Sequence, residues 1–341
     1  MTNETGREPD PSRRTVEAGN DLRTYLTVSP LGTEWITAAD LQRVEFPELE
    51  WAIPNILPAG TALLAGAPKL GKSTFAINLT VAVATGGKAF GAFDVEQGTA
   101  LYLPLEDGGL RRVKDRIRDH LGDDEWPKTL HLTDNLARLD KGGVEELDYQ
   151  LYMLRGDCRL VVIDTLQRVR PIRPNASKRW YDEDYAALAG LTELSTKYNV
   201  SIVLIHHTRE MKADNWIDSV SGSRGLSAYV DSILVGERGK AAADVVLKVT
   251  GRDIPEAEYA FDVDYATFTW RYIGDATVAQ LTDDRRAVIH SLEHNGASTP
   301  VAVAEDTGLK YENTKKLLPR MATAGQIKNL AGGRYEPLNR D

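Results

Sequence analysis

A chain of 341 residues can bury a large core and suits one full α/β domain with a small second module. Its 50 acidic against 41 basic residues exclude blanket attraction to nucleic acid, so any DNA or RNA contact rests on local basic patches. The single cysteine, Cys158, excludes an intramolecular disulfide and a Cys-x-x-Cys zinc site and fits a reducing cytoplasm, and no apolar stretch reaches membrane-span length, so a soluble protein with no membrane partner is expected.

Residues 1–25, rich in Thr, Glu, Arg, Asp and Pro and without an apolar signal region, read as a disordered leader. A single α/β region is expected over residues 26–275. Its apolar run Leu63-Leu64-Ala65 reads as a buried strand that enters Gly66-Ala-Pro-Lys-Leu-Gly-Lys-Ser73 and leaves as an amphipathic helix beginning near Lys72. Strand, glycine loop and helix in this order form a phosphate-binding P-loop. Gly66 and Gly71 let backbone N–H groups turn inward along Ala67, Pro68, Lys69 and Leu70, while the helix N-terminus at Ser73 and Thr74 adds a favourable dipole. Lys72 is placed to reach the β and γ phosphates and Ser73 to supply a hydroxyl to Mg²⁺.

Further strands are expected at Ala62 to Ala65, Ala100 to Leu105, Leu130 to Leu132, Leu160 to Ile163, Ile202 to Ile205 and Ile233 to Val235. Helices are expected at Lys72 to Ala84, Leu110 to Leu121, Val144 to Leu154 and Tyr185 to Tyr198. This alternation predicts a mostly parallel sheet covered on both faces, and the period-2 stretches Asp244 to Thr250 and Tyr259 to Trp270 add a late β edge. After a break around Gly274 to Leu281, residues 280–338 offer helices at Asp283 to His294, Pro300 to Glu305 and Tyr311 to Ala324. Two extended runs then flank a glycine turn, the order of a winged helix-turn-helix.

Hydrolysis needs more than a P-loop: a metal-side carboxylate, a group that activates water and a positive charge for the transition state. Asp164 ends the strand Leu160-Val-Val-Ile-Asp164 and is the candidate for Mg²⁺. Glu106 and Asp107 end another apolar strand, and Glu106 is placed to polarise water. His206 and His207 end a third, where strand alternation lets only one face the phosphates. Arg238 and Lys240 follow the strand at Ile233.

Together these sites resemble the RecA-like P-loop ATPases, and within them the branch of plasmid RepA-type and ring-shaped DnaB-type helicases, also found as ATPases of phages and integrative elements. The resemblance runs over roughly Leu49 to Trp270 and rests on the P-loop, Leu105-Glu-Asp107, Val162-Ile-Asp-Thr-Leu166, Leu204-Ile-His-His-Thr208, and Ser221-Gly-Ser-Arg-Gly225 followed by Asp231. It implies Glu106 as catalytic base, Asp164 as Walker B acid, His207 as γ-phosphate sensor, Arg238 as arginine finger with Arg224 competing, and Arg116 stacked on adenine. ATP and Mg²⁺ are the implied cofactors and a ring-shaped homo-oligomer, a hexamer, the implied assembly. By the same resemblance, loops carrying Arg168, Arg170, Arg173, Lys178, Arg179 and Lys212 line a channel for single-stranded DNA, as cations and aromatics there suit. Lys315 and Lys316 on the presumed recognition helix point to duplex DNA. No counterpart of the large N-terminal domain or the primase-like part of bacterial replicative helicases is expected within these 341 residues. The implied function is an ATP-driven helicase-like motor in replication of a phage, plasmid or integrative element. An ATP-switched DNA-binding protein and a loader or recombination mediator are the other readings.

Overall fold

The computed structural model describes residues 25–30, 32–46, 48–106, 109–171, 180–207, 216, 226, 229–239, 243–323, 325–330 and 332–337. Leader residues 1–24 therefore lie outside the described residues. So do Asp107, Arg173, Lys178, Arg179, Lys212, Lys240 and the whole stretch Ser221 to Gly225 with Arg224.

Strand β1 (Gly60–Gly66) leads into helix α1 (Lys72–Thr85). Then come β2 (Thr99–Pro104), α2 (Gly109–Leu121), β3 (Leu130–Leu132), α3 (Gly143–Met153), β4 (Cys158–Asp164), α4 (Trp180–Tyr198), β5 (Ser201–His207) and β6 (Ser232–Arg238). Hydrogen bonding orders them β6-β1-β5-β4-β2-β3, and every pairing among them is parallel. Strands β7 (Val245–Gly251), β8 (Ala257–Asp264) and β9 (Thr269–Asp275) continue the order beyond β6. Where the alternation over Tyr259 to Trp270 predicts one strand, the chain makes two. The Asp264 carboxylate accepts from the Ala266 N–H at 2.8 Å and Phe268 takes φ 54°, so the chain turns between them.

One face of the sheet buries Leu63, Val161, Ile163, Ile202 and Leu204 against Leu147 and Leu151 of α3 and Leu188, Leu191 and Leu194 of α4. The other face carries α1, which packs against β2, β4 and α2. The amphipathic pattern expected of α1 is not what the structure has. Eleven of its residues are buried, among them Phe75, Asn78, Leu79, Thr80 and Val83. A second layer explains this: Phe90 stacks on Phe75 at 4.9 Å and Trp270 meets Phe75 edge-on at 5.0 Å, so the helix has no solvent face. α2, lying outside it, is strongly amphipathic and buries Val113 and Ile117.

The polar residues Asn78 and Thr80, which interrupt the apolar run in the sequence, are both satisfied. Thr80 donates to the Ala76 carbonyl within the helix, and the Asn78 amide donates to the carbonyls of Thr74 and Phe268 and accepts from the Trp270 N–H at 3.0 Å. Asp231 stands at the opposite end of β1 from the P-loop, where its carboxylate accepts from the Thr61 N–H and hydroxyl and pairs with Arg252. Buried Cys158 opens β4, its thiol pushed up to about 12 by burial.

The chain divides into two compact units, the first holding residues 1–236, 248–256 and 264–271 and the second residues 237–247, 257–263 and 272–341. Within the second, α5 (Ala276–Asn295), α6 (Pro300–Thr307) and α7 (Tyr311–Thr323) precede an antiparallel hairpin of β10 (Ile327–Leu330) and β11 (Arg334–Pro337). Val288, Leu292, Val303, Leu317, Leu318, Met321, Ile327 and Tyr335 form its core. α6 is started by Thr299, whose side chain accepts from the Ala302 N–H, with Pro300 at the first turn. α5 begins at Ala276, inside the stretch expected to be a break. Among the described residues no helix is long and apolar enough to cross a membrane.

Asn78→Ala removes two donors and an acceptor from a buried seam and leaves the Trp270 N–H unmatched. Chemical denaturation is expected to show a loss of about 2–3 kcal/mol, with Asn78→Asp losing more at neutral pH, because its buried carboxylate would face the Thr74 and Phe268 carbonyls with no donor between them.

Candidate active site

The P-loop emerges between two parallel neighbours, with His207 of β5 opposite Gly66 on one side and Gly236 of β6 on the other. A Cβ on Gly66 would stand 2.9 Å from the Gly236 carbonyl and 2.8 Å from Leu70 Cδ2, and one on Gly236 would stand 2.5 Å from that same methyl. Two facing glycines thus leave the space into which Leu70 folds, closing the loop on its own strand. Lys69 takes φ 61°, and Gly71, at φ 98°, caps α1 with the Trp270 ring 3.1 Å from where its Cβ would lie. Trp270 Nε1 donates to Thr74 Oγ1, which in turn donates to the Gly71 carbonyl at 2.7 Å. Ala67, Pro68 and Lys69 form the exposed outer arc of the loop.

Lys72 is buried, and its ammonium donates to the carbonyls of Gly66 at 2.8 Å and Ala67 at 2.9 Å. Desolvation lowers its pKa, while Asp164 and then Glu106 pull it back up. These three charged groups, from three separate segments, therefore share one electrostatic site. Asp164 is buried at the end of β4 and accepts from the Tyr102 hydroxyl at 2.9 Å. Burial together with the Asp164 charge raises the phenol well above its ordinary value. The Leu105 N–H donates to the Asp164 carbonyl at 2.6 Å, tying the end of β2 to the end of β4. Glu106 follows directly, exposed, with Thr165 Oγ1 3.5 Å from its Oε1.

The donor set suits a polyphosphate with a hard divalent cation. A glycine loop at a helix N-terminus presents N–H groups and one ammonium, and the Ser73 hydroxyl and the Asp164 carboxylate both stand close to Tyr102. Residue placement sorts the remaining candidates. The backbone of His207 lies beside Gly66, while its side chain lies outside the described residues; His206 shares the sheet face of Leu204, away from Asp164. The Arg116 guanidinium lies 3.5 Å over the Phe268 ring. Arg238 is exposed at the end of β6 and belongs to the second unit. Arg168 lies on the helical turn Leu166–Val169 directly after Thr165, and Arg170 follows it at a bend where its carbonyl accepts from Arg138. Lys315 and Lys316 are exposed on α7, Lys315 with its ammonium 5.9 Å from the Tyr311 ring centre. Sequence reading missed Tyr102, Thr165, Gly236 and Trp270. Only Tyr102, a hydroxyl in an aliphatic strand, carries a local signal.

Because burial lowers the pKa of Lys72, its charge is lost at lower pH than that of an ordinary lysine, and affinity for a polyphosphate falls as pH rises through that value. A fluorescent ATP analogue titrated from neutral to about pH 10 is expected to show this decline. Lys72→Arg, whose guanidinium stays charged, is expected to lose it whatever its absolute affinity.

The family described as "AAA domain" matches residues 27–213, more than half of the chain. Among solved structures, an ATPase domain is 14% identical, with a TM-score of 0.50 over 63% of this chain and 85% of that one. A KaiC-like protein of the archaeon Pyrococcus horikoshii is 15% identical, with a TM-score of 0.43 over 65% of this chain and 94% of that one. The β6-β1-β5-β4-β2-β3 sheet with its P-loop after β1 is the RecA-like arrangement, and the chain belongs to the AAA domain family as a RecA-like P-loop ATPase.

Proposed function

We propose that the protein binds and hydrolyses ATP with Mg²⁺ as an oligomeric, helicase-like motor on DNA, serving replication of a phage, plasmid or integrative element. The observation that carries the hydrolytic part is the convergence of Lys72, Ser73, Glu106 and Asp164 at the carboxyl ends of β1, β2 and β4. In this reading the N–H groups from Ala67 to Thr74 cradle the phosphates. Lys72 leaves the Gly66 and Ala67 carbonyls to meet the β and γ phosphates. Ser73 and Asp164 hold the cation, which when bound offsets the negative charge of the phosphates. Glu106, exposed beside Thr165, orients a water and takes its proton. His207 senses the γ-phosphate, and Arg116, backed by Phe268, stacks on adenine. Arg238 serves a neighbouring subunit as finger, with Arg224 the competing residue, so turnover depends on a homo-oligomeric ring.

Support for a DNA substrate lies in the cation-rich sequence from Arg168 to Arg179, with Arg170, Arg173 and Lys178, and in Lys212 of the next loop. The three helices and hairpin of the second unit follow the order of a winged helix, with Lys315 and Lys316 exposed for duplex DNA.

Steady-state ATP hydrolysis at several protein concentrations, with and without single-stranded DNA, tests the motor. Wild-type turnover is expected to rise cooperatively with concentration and with DNA. Lys72→Ala is expected to lose nucleotide binding, and Glu106→Gln to keep binding while turnover falls by about 10²–10⁴-fold. Slow turnover indifferent to DNA would defeat the motor reading in favour of an ATP-switched binding protein. Arg238→Ala and Glu106→Gln subunits, each inactive alone, are expected to regain part of the activity when reassembled together, since some interfaces then hold both wild-type groups. No recovery would remove Arg238 from the finger role.

A further inference from the structure

Tyr102 is among the largest fully buried side chains of the protein, set in a strand whose other residues are Thr99, Ala100, Leu101, Leu103 and Pro104. Phenylalanine would fill the same space against α1 without bringing a polar atom into the core. The hydroxyl therefore calls for its own account, and its partner supplies one: it donates to Asp164 Oδ2 at 2.9 Å. Asp164 is one of the two side chains that the ATPase reading assigns to the cation.

We infer that Tyr102 is a positioning residue for the cation corner of the phosphate site, holding the Asp164 carboxylate in one rotation. The inference rests on the ATPase reading. A carboxylate rotates almost freely about its last torsion. Tyr102 lacks that freedom, because its ring is fully buried in the strand that pairs with β4, where its register partner is Val162. A donor on so fixed a ring selects one carboxylate rotation before any cation arrives.

The test uses the full chain, a fluorescent ATP analogue and Mg²⁺ titrated from an EDTA-treated start. In Tyr102→Phe the nucleotide-free protein is expected to melt close to wild type and to bind the analogue without Mg²⁺ as wild type does. The Mg²⁺ concentration giving half of the cation-dependent tightening is expected to rise about tenfold, as fits the loss of one hydrogen bond to an ionised group. An unchanged Mg²⁺ midpoint in a folded Tyr102→Phe protein overturns the positioning role. If that variant fails to fold, 4-fluorophenylalanine at position 102 restores the volume without the donor and is read the same way. The two readings separate cleanly: a wild-type chain whose nucleotide binding ignores Mg²⁺ defeats the ATPase reading and this inference with it. A wild-type response matched by the variant defeats this inference alone.

Discussion

A phosphate-binding loop must expose its backbone N–H groups and still hold one shape, and in this protein that constraint is met by burying the helix behind the loop on every side. Helix α1 is wedged between the sheet, Phe90 and Trp270, so its N-terminus cannot drift with respect to β1. At the front, Leu70 folds into the space that Gly66 and Gly236 leave open. At the back, Asn78 hydrogen-bonds to Phe268 and Trp270. The loop is held because both of its flanks are packed, while its outer arc from Ala67 to Lys69 is exposed and touches the rest through the Ala67 carbonyl, which accepts from Lys72.

The same packing sets the electrostatics. Burial alone would favour a neutral Lys72, and the two carboxylates at the ends of β4 and β2 keep the charge in place. Asp164 is itself buried, and its charge is tolerated because Tyr102 donates to it and Lys72 lies near. Glu106 differs in kind: it sits in solvent just past the Leu105 backbone contact to Asp164 and can meet water from the open side. A fixed buried acid and a solvated one, at the ends of neighbouring strands, give the site one group suited to hold a cation and another suited to take a proton.

The second unit has its own small core around Leu292, Leu318 and Met321 and its own start signal at Thr299 and Pro300. Helix α7 divides its duties by face, with Thr314, Leu317, Leu318 and Met321 buried and Lys315, Lys316 and Arg320 exposed. Its stability therefore does not require the lysines, and their placement can answer to a partner.

The order of strands and helices, the P-loop and the acids that end β2 and β4 were legible because each is written in a few neighbouring residues: an apolar run, a glycine spacing, a carboxylate where the run stops. Boundaries in the β edge and at α5 were less so, since alternation over Tyr259 to Trp270 gives no sign of the turn that Asp264 makes, and Gly274 to Leu281 resembles a break although a helix starts at Ala276. The all-round burial of α1 could not be read from its own residues, because solvent exposure depends on what covers a helix and the cover comes from Phe90 and Trp270. Tertiary structure alone decided that Trp270 donates to a P-loop threonine 196 residues earlier, that Gly236 faces Gly66, and that Tyr102 donates to Asp164. Local spacing encodes what one segment can do; which segments meet is set by the crossovers of the sheet, and hydrogen bonds made across them leave no periodic trace in the chain.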